Sequence, residues 1–334
     1  DSIRSVAISA DGEYIVAGDN NYKVHLFDKD SNVPLWNYTT GSYVRSVSIS
    51  ADGEYIVAGS EDNKVYLFNK DSPEPLWSYL IERNVVSIAI SADGEYIIVG
   101  STGMNGYAYL FDKDSNTPLW KYTIGAEVAS VAISADGEYI VIGDADTNTC
   151  SIRFFNKNSA TPLWTYYTGH EVGSLSISAD GTYIIAGVSD ENITNNVHLF
   201  DKSSNVPLWS YVTGAVYSTS ISADGEYITV GSEDSKIYTF RNNPVARPSV
   251  IPYGPRSGSL TLNDTTLGWF PGSDVIANLK FDVYISSIYD DVASNNSAAL
   301  IADDITNYTY LVTGLSESKK YYWKVVATDP SGSA

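Results

Sequence analysis

Four acidic residues in this sequence are its best candidates for binding a cation: Asp144, Asp146, Asp190 and Glu191. They lie in two inserts where the spacing of an otherwise regular sequence lengthens. Carboxylate oxygens are the ligands that Ca²⁺ prefers, and loops can vary without disturbing a packed core. The alternative is ordinary drift of a surface loop, which needs no ligand and is the interpretation we favour.

Six further aspartates each precede a glycine and could be imagined as a ring of carboxylates. The sequence around each of them is nearly identical, and Asp in an Asp-Gly turn bonds to its own backbone. We therefore expect a structural role for these residues, which are Asp11, Asp52, Asp93, Asp136, Asp180 and Asp224.

No arrangement of residues in the sequence indicates catalysis. It has no Gly-x-Ser-x-Gly elbow, no His-Glu-x-x-His and no phosphate-binding loop. His25 and His198 occupy equivalent strand positions, so packing explains them before chemistry does, and His170 stands alone. We expect that the chain is not an enzyme.

The composition narrows the possible partners. The 334 residues carry 40 acidic and 20 basic side chains, a formal charge of -20, which disfavours nucleic acid and anionic membranes as partners. No apolar run is as long as a membrane span, and Cys150 is the only cysteine. The first residue lies within a repeat, so we interpret the sequence as a mature or partial chain.

A repeat organises most of the chain. The pattern Ser9-Ala10-Asp11-Gly12-Glu13-Tyr14-Ile15 recurs six times at intervals of 41 to 44 residues, close to the length of a four-stranded propeller blade. Each unit contains alternating apolar segments separated by turn residues, which predicts four strands. We predict an all-β fold with a closed six-bladed β-propeller over residues 1–243.

The units resemble WD-repeat propellers in the pattern Val6-Ala7-Ile8-Ser9-Ala10-Asp11-Gly12. A Trp eight residues after an Asp or Asn resembles the tryptophan-docking motif of quinoprotein-type propellers, which implies side chains wedged between blades. In that family a quinone site would involve adjacent cysteines, which this sequence lacks, so we expect no cofactor. The five tryptophans are Trp36, Trp77, Trp120, Trp164 and Trp209.

The repeat stops at a linker, residues 244–248, which contains two prolines. Strand-like segments in residues 249–334 resemble strands B, C, E and F of a fibronectin type III-like β-sandwich, with Trp269 and Trp323 in its core. The last strand of that family, strand G, is missing. The propeller likewise has six inner hairpins and five outer Pro-Leu-Trp strands, so both sheets expose an edge.

Five Asn-x-Ser/Thr sequons and the fibronectin-like domain favour an extracellular or cell-surface location. We expect N-linked glycans on some of the sequons, chiefly Asn295 and Asn307. The sequons are Asn37, Asn192, Asn263, Asn295 and Asn307.

Two functions remain open from the sequence. The first is a structural protein, a subunit of a filament or surface layer, whose open edges are completed by strands from neighbouring subunits in head-to-tail contacts. The second is an adhesion module whose propeller face recognises a protein or a glycan. The repeats also resemble exported archaeal or bacterial surface propellers.

Overall fold

A computed structural model describes residues 2–145, 150–189 and 196–242, and further strand residues at 250–252, 264–271, 280–286, 300–305, 309–313 and 322–328. The chain divides into two compact units, Asp1–Asn242 and Asn243–Ala334. Every regular element in the described residues is a β-strand, and none of that part is a helix long and apolar enough to cross a membrane. The expected linker, residues 244–248, lies outside the described residues.

The first unit consists of six antiparallel sheets, called blades 1 to 6 in chain order, whose strands follow one another in sequence order. Blades 1 to 5 have four strands and blade 6 has three. Their strands are β1 (Ile3–Ile8), β2 (Tyr14–Asp19), β3 (Lys23–Asp28) and β4 (Trp36–Thr39); β5 (Val44–Ile49), β6 (Tyr55–Ser60), β7 (Lys64–Asn69) and β8 (Trp77–Leu80); β9 (Val85–Ile90), β10 (Tyr96–Ser101), β11 (Tyr107–Asp112) and β12 (Trp120–Thr123); β13 (Val128–Ile133), β14 (Tyr139–Asp144), β15 (Ser151–Asn156) and β16 (Trp164–Tyr167); β17 (Val172–Ile177), β18 (Tyr183–Val188), β19 (Val197–Asp201) and β20 (Trp209–Tyr211); and β21 (Val216–Ile221), β22 (Tyr227–Ser232) and β23 (Ile237–Arg241).

The Asp-Gly turns join the first two strands of every blade. In blade 1 the Ser9 hydroxyl donates to Asp11 Oδ1 at 2.6 Å, and the same oxygen accepts the N–H of Glu13 at 3.0 Å. Gly12 has φ +75°, a left-handed conformation that glycine adopts without strain. The equivalent bonds recur in all six turns, so the repeated aspartates hold the backbone.

The carboxylates in these turns make the stability of the fold depend on pH. Hydrogen bonds from Ser9 and the Glu13 N–H hold the pKa of Asp11 below its ordinary value, and Asp224 is affected in the same way. Because the folded pKa is depressed, the stabilisation is present above the unfolded pKa and is lost as pH falls below about 4. We expect the urea unfolding midpoint to be constant between pH 7 and 5 and to drop by pH 3. A midpoint at pH 3 equal to that at pH 7 would contradict this.

The core of this unit lies between neighbouring blades. In the first junction Val16, Val24 and Leu26 of blade 1 pack with Val44 and Val47 of blade 2, and all five are buried. Comparable clusters join the later blades as far as blade 6. Each blade is therefore buried on both faces wherever it has two neighbours, which explains the nearly continuous apolar character of the second and third strands.

The six blades are confirmed, but the closed ring that we expected is not formed in the described residues. Ile3, Val6 and Ile8 of β1 are 53%, 66% and 60% exposed, whereas their equivalents in β5 are less than a tenth exposed. Five junctions are present, and a sixth between blades 6 and 1 is not found among the described strands. The side chains packed at each junction set the angle between neighbouring blades. With the five angles present here, the described strands of blade 6 do not reach those of blade 1.

The second unit has two three-stranded antiparallel sheets in its described residues. One pairs its strands in the order β24-β25-β28 and the other in the order β27-β26-β29. The strands are β24 (Val250–Pro252), β25 (Asp264–Pro271), β26 (Lys280–Ser286), β27 (Leu300–Ile305), β28 (Thr309–Thr313) and β29 (Tyr322–Thr328). Trp269 lies in β25 and Trp323 in β29, and their side chains are outside the described part.

Candidate functional site

The five blade tryptophans all contact the following blade. Trp36 of β4 lies against Phe68 of blade 2 with ring centroids 5.4 Å apart, and its indole N–H donates to the carbonyl of Lys70 at 2.7 Å. Trp77, Trp120 and Trp164 make the same two contacts, and Trp209 stacks on Phe240. These residues hold the scaffold and are not available for a ligand.

Asp144 is a structural residue in this fold, although its acidic insert makes it a candidate cation ligand. Its side chain is 1% exposed and forms an ion pair with Arg153. It also accepts the N–H of Ser151 at 2.9 Å and the Ser151 hydroxyl at 2.8 Å. These three contacts occupy the carboxylate in the described structure, so drift of the surface insert explains the sequence there without a cation.

The other cation candidates, Asp146, Asp190 and Glu191, lie outside the described residues. Within the described ranges no group of three or more His, Cys, Asp or Glu side chains is placed to hold a metal ion.

The two strand histidines lie among blade side chains. His25 Nε2 is 3.2 Å from Asp19 Oδ2, and His198 Nδ1 is 2.8 Å from Ser210 Oγ. Burial disfavours ionisation of Asp19, but the N–H of Lys23 and the His25 ring hold the pKa of Asp19 below its ordinary value overall. These pairs connect neighbouring strands within one blade, as expected for scaffold residues.

One sequon is described by the structure. Asn37 lies on β4, the outer strand of blade 1, and it is exposed. The sequons Asn192, Asn263, Asn295 and Asn307 lie outside the described residues.

An exposed aromatic pair departs from the repeat at the junction of blades 1 and 2. Tyr22, in the β2–β3 loop, and Tyr43, in the loop before β5, are 40% and 37% exposed. Their ring centroids are 5.4 Å apart at an angle of 58°. Both loops lie at the edge of the propeller opposite the Asp-Gly turns, on what we call the loop face.

The backbone of Tyr22 is in the left-handed region, with φ +69°. The equivalent positions in blades 2 and 6 are Asn63 and Ser235, with φ +68° and +64°. Asn tolerates this conformation better than Tyr, because the larger side chain crowds the backbone. The turn by itself would favour Asn, so the ring of Tyr22 is the feature that distinguishes this loop.

Hydrogen-bonding groups flank the pair. The Arg4 guanidinium is 6.0 Å from the centroid of the Tyr43 ring, and its Nε donates to Asn20 Oδ1 at 2.6 Å. A guanidinium has five N–H donors, so the remaining ones can bind ligand oxygens. The site therefore combines two aromatic faces with fixed polar donors.

An open hollow of about 230 Å³ lies at the turn end of the inner strands of blades 3 to 6. Ser176 and Ser220 are the residues with polar side chains in its lining. The lining residues are Ala89, Ile90, Val131, Ala132, Ile133, Leu175, Ser176, Ile177, Ser220 and Ile221.

The aromatic pair was not among the sites that sequence reasoning identified. A signal was present, because the repeat has Asn84, Glu127, Glu171 and Ala215 where blade 2 has Tyr43. The contact between residues 21 positions apart requires the spatial neighbourhood of two blades, which the periodicity alone does not give.

Comparison with solved structures supports the architecture. A chain in the "Crystal Structure of Mitotic Checkpoint Complex" superposes with a TM-score of 0.62 at 19% identity, over 72% of this chain and 77% of that one. At this identity the likeness concerns the fold. A search of curated proteins found no match.

Two family models match the repeats. The model of the WD domain, G-beta repeat, matches residues 1–28 and 32–69. The model described as outer membrane protein assembly factor BamB matches residues 62–238, just over half of the chain. Together with the six blades, this match shows that the chain belongs to the β-propeller repeat family described as outer membrane protein assembly factor BamB.

Proposed function

We propose that this protein is a non-enzymatic binding module displayed at the cell surface, and that the loop face of its propeller recognises a neutral glycan. The observation that carries the proposal is the exposed Tyr22–Tyr43 pair beside Arg4. Tyr supplies a rigid apolar face with a polar tip, which suits a surface that has both C–H groups and hydroxyls.

The chemistry of a pyranose ring fits this surface. One face of the sugar presents C–H groups, which pack on the electron-rich face of an aromatic ring. The hydroxyls at the rim can accept hydrogen bonds from the Arg4 guanidinium. The formal charge of -20 disfavours acidic sugars at long range and leaves neutral ones unaffected.

The second unit supports a role as a spacer. The strand orders β24-β25-β28 and β27-β26-β29 are those expected for strands A, B and E and for C′, C and F of a fibronectin type III-like sandwich. A domain of this kind and the exposed sequon Asn37 support the proposal of an extracellular location.

Replacing Tyr22 by Asn tests the glycan proposal. Asn63 occupies the equivalent position in blade 2, so the turn is retained while the aromatic face is removed. We expect the full chain to bind neutral hexose oligosaccharides on an array, and Tyr22→Asn to weaken that binding by about tenfold in calorimetry.

The matched control is Tyr167→Asn, which removes an exposed Tyr of β16 away from the pair. This variant should bind as the unmodified chain does. Absence of binding to any neutral oligosaccharide, or equal losses from Tyr22→Asn and Tyr167→Asn, would contradict the proposal.

A structural role is the second candidate, and one observation favours it. β23 ends the three-stranded sheet of blade 6, and β29 ends its own sheet, so both are edge strands among the described residues. An edge strand can accept a strand from a neighbouring subunit, which would join subunits into a filament or surface layer. Ordered polymers in electron micrographs of the native material would favour this role, and dispersed particles would favour the binding module.

A further inference from the structure

Neighbouring blades are joined by a junction that recurs five times with nearly constant geometry. At each junction, the first residue of the following blade's inner strand packs into the space beside a glycine in the second strand of the preceding blade. A Cβ added to Gly18 would lie 2.5 Å from Val44, and one added to Gly59 would lie 2.2 Å from Val85. The glycines are therefore required by the close approach of the next blade.

Backbone groups are paired across each junction as well. The Ser5 hydroxyl of β1 accepts the N–H of Val47 at 3.0 Å, and the N–H of Ala10 donates to the carbonyl of Ala51 at 2.9 Å. Equivalent bonds recur at the other four junctions, at 2.9–3.1 Å and 2.9–3.0 Å. A complete junction therefore has an apolar part and a fixed hydrogen-bond pattern.

The outward face of blade 1, the face turned away from blade 2, has the residues that a following blade contributes to this junction. No blade packs against them in the described residues. Ile3, Val6 and Ile8, which correspond to the buried Val44, Val47 and Ile49 of blade 2, are more than half exposed. A Cβ added to Gly12 would have no atom within 4 Å, whereas each equivalent turn glycine contacts a Tyr of the preceding blade.

The tryptophan contact is also incomplete at blade 1. Phe27 occupies the position of Phe68, which is covered by Trp36 of the preceding blade. No tryptophan in the described residues stacks on Phe27, whose ring contact there is with His25 of the same strand. The outward face of blade 1 thus combines exposed aliphatic side chains, a partly exposed aromatic ring and backbone groups that are bonded to a neighbouring blade elsewhere in the array.

The outward face of blade 6 differs in chemistry. Thr229 and Thr239 stand where blade 5 has the buried Ile185 and Leu199. Blade 6 also has no fourth strand in the described residues, and hence no tryptophan to insert into a neighbour. Ile237, the equivalent of the buried Val197, is 81% exposed, so the change to polar residues on this face is partial. Polar residues on an outer face are typical of a terminal repeat.

We propose that the outward face of blade 1 is a docking site for one further blade of the interior type, carried by polypeptide outside these 334 residues. The docked blade has a serine in its inner strand to accept the N–H of Val6 and a turn N–H to donate to the carbonyl of Ala10. It has a glycine notch in its second strand for Ile3. Its fourth strand carries a tryptophan that covers Phe27 and donates to the carbonyl of Lys29.

A second copy of the chain does not fit this description. The only outward face that a copy could present to blade 1 is that of blade 6, where Thr229 and Thr239 replace the aliphatic residues and the fourth strand is missing from the described sheet. The junctions between blades 1 to 5 are already occupied within one molecule. Because the open face of blade 1 repeats one half of the junction between interior blades, the occupant is a blade like blades 1 to 5. This inference does not depend on a glycan binding at the loop face.

Hydrogen exchange of a chain extended by one blade tests the inference. The extended protein has a copy of residues 42–82 placed before Asp1, which keeps the spacing between the last residue of blade 2 and the following inner strand. In the unmodified chain the amide of Val6 should exchange much faster than that of Val47. In the extended chain the exchange of Val6 should slow by at least about a hundredfold.

Two matched controls accompany this experiment. The same extension with its copied tryptophan changed to Ala should protect Val6 less. The same 41 residues inserted after Asn242 should leave the amide of Ala223, the equivalent of Ala10 in blade 6, unprotected. A Val6→Asp change should leave the unfolding midpoint of the unmodified chain within error and abolish the protection in the extended chain.

Three results would overturn the inference. One is slow exchange of Val6 in the unmodified monomer, which would mean that this chain already covers the face. Another is concentration-dependent dimerisation that protects Val6, which would make a second copy the occupant. The third is an extended chain in which Val6 still exchanges rapidly. Destabilisation of the unmodified chain by Val6→Asp as strong as that by Val47→Asp would count with the first result, because it too would mean that this chain already covers the face.

Discussion

Replacing Trp36 by Ala is expected to lower the free energy of unfolding of the propeller by about 3–5 kcal/mol. The side chain is 9% exposed, stacks on Phe68 of the next blade and donates its indole N–H to the carbonyl of Lys70. Its removal leaves a cavity in the first junction and an unpaired carbonyl, and the blades cannot close that space without changing their angle. Urea unfolding followed by circular dichroism measures the loss.

Leu35→Ala is the matched control, because Leu35 precedes Trp36 and its side chain is half-exposed. It should change the free energy of unfolding by no more than about 0.5 kcal/mol, as surface substitutions do. A loss below about 1 kcal/mol for Trp36→Ala would mean that the indole is not a buried part of the junction.

Replacing Arg153 by Met should have an effect of similar size, a loss of about 3–5 kcal/mol. The guanidinium is the charged partner of Asp144, whose carboxylate is almost fully buried. Among the described residues that carboxylate would then retain the N–H and hydroxyl of Ser151, and a buried charge without its charged partner is strongly destabilising. The loss is measured by urea unfolding at pH 7.

The double variant Asp144→Asn with Arg153→Met should recover part of this loss, because no buried charge remains. Arg45→Met is the control for removing an exposed arginine: its partner Glu61 lies near the surface, and the loss should stay below about 1 kcal/mol. If Arg153→Met costs no more than Arg45→Met, Asp144 is not held by this ion pair and its assignment as a structural residue is wrong.

Much of the propeller followed from sequence periodicity. The recurring Ser-Ala-Asp-Gly pattern predicted six units, because local turn chemistry depends on residues only two to five positions apart. The spacing from Asp28 to Trp36 likewise indicated a side chain between blades, and the structure places Trp36 there. Local rules suffice for these features since each is decided within one repeat.

The candidate site was less accessible to such reasoning. Asp144 looked like a cation ligand because its loop breaks the period, but its partner Arg153 lies across a hairpin whose register the sequence does not state. Tyr22 and Tyr43 belong to different blades, and their pairing depends on the distance between two loops. Contacts of this kind are set by how the blades pack, which no single repeat encodes.

The amino-acid sequence by itself determined the all-β class, the number of blades and the structural role of the Asp-Gly turns. Only the tertiary structure decided that the six described blades leave blades 1 and 6 apart, and that Ile3, Val6 and Ile8 are more than half exposed while the equivalent positions in later blades are buried or partly buried. The physical reason is that closure depends on the sum of the angles at the junctions. A small difference at each junction, set by side-chain volume, adds up over the array and decides whether its two ends meet.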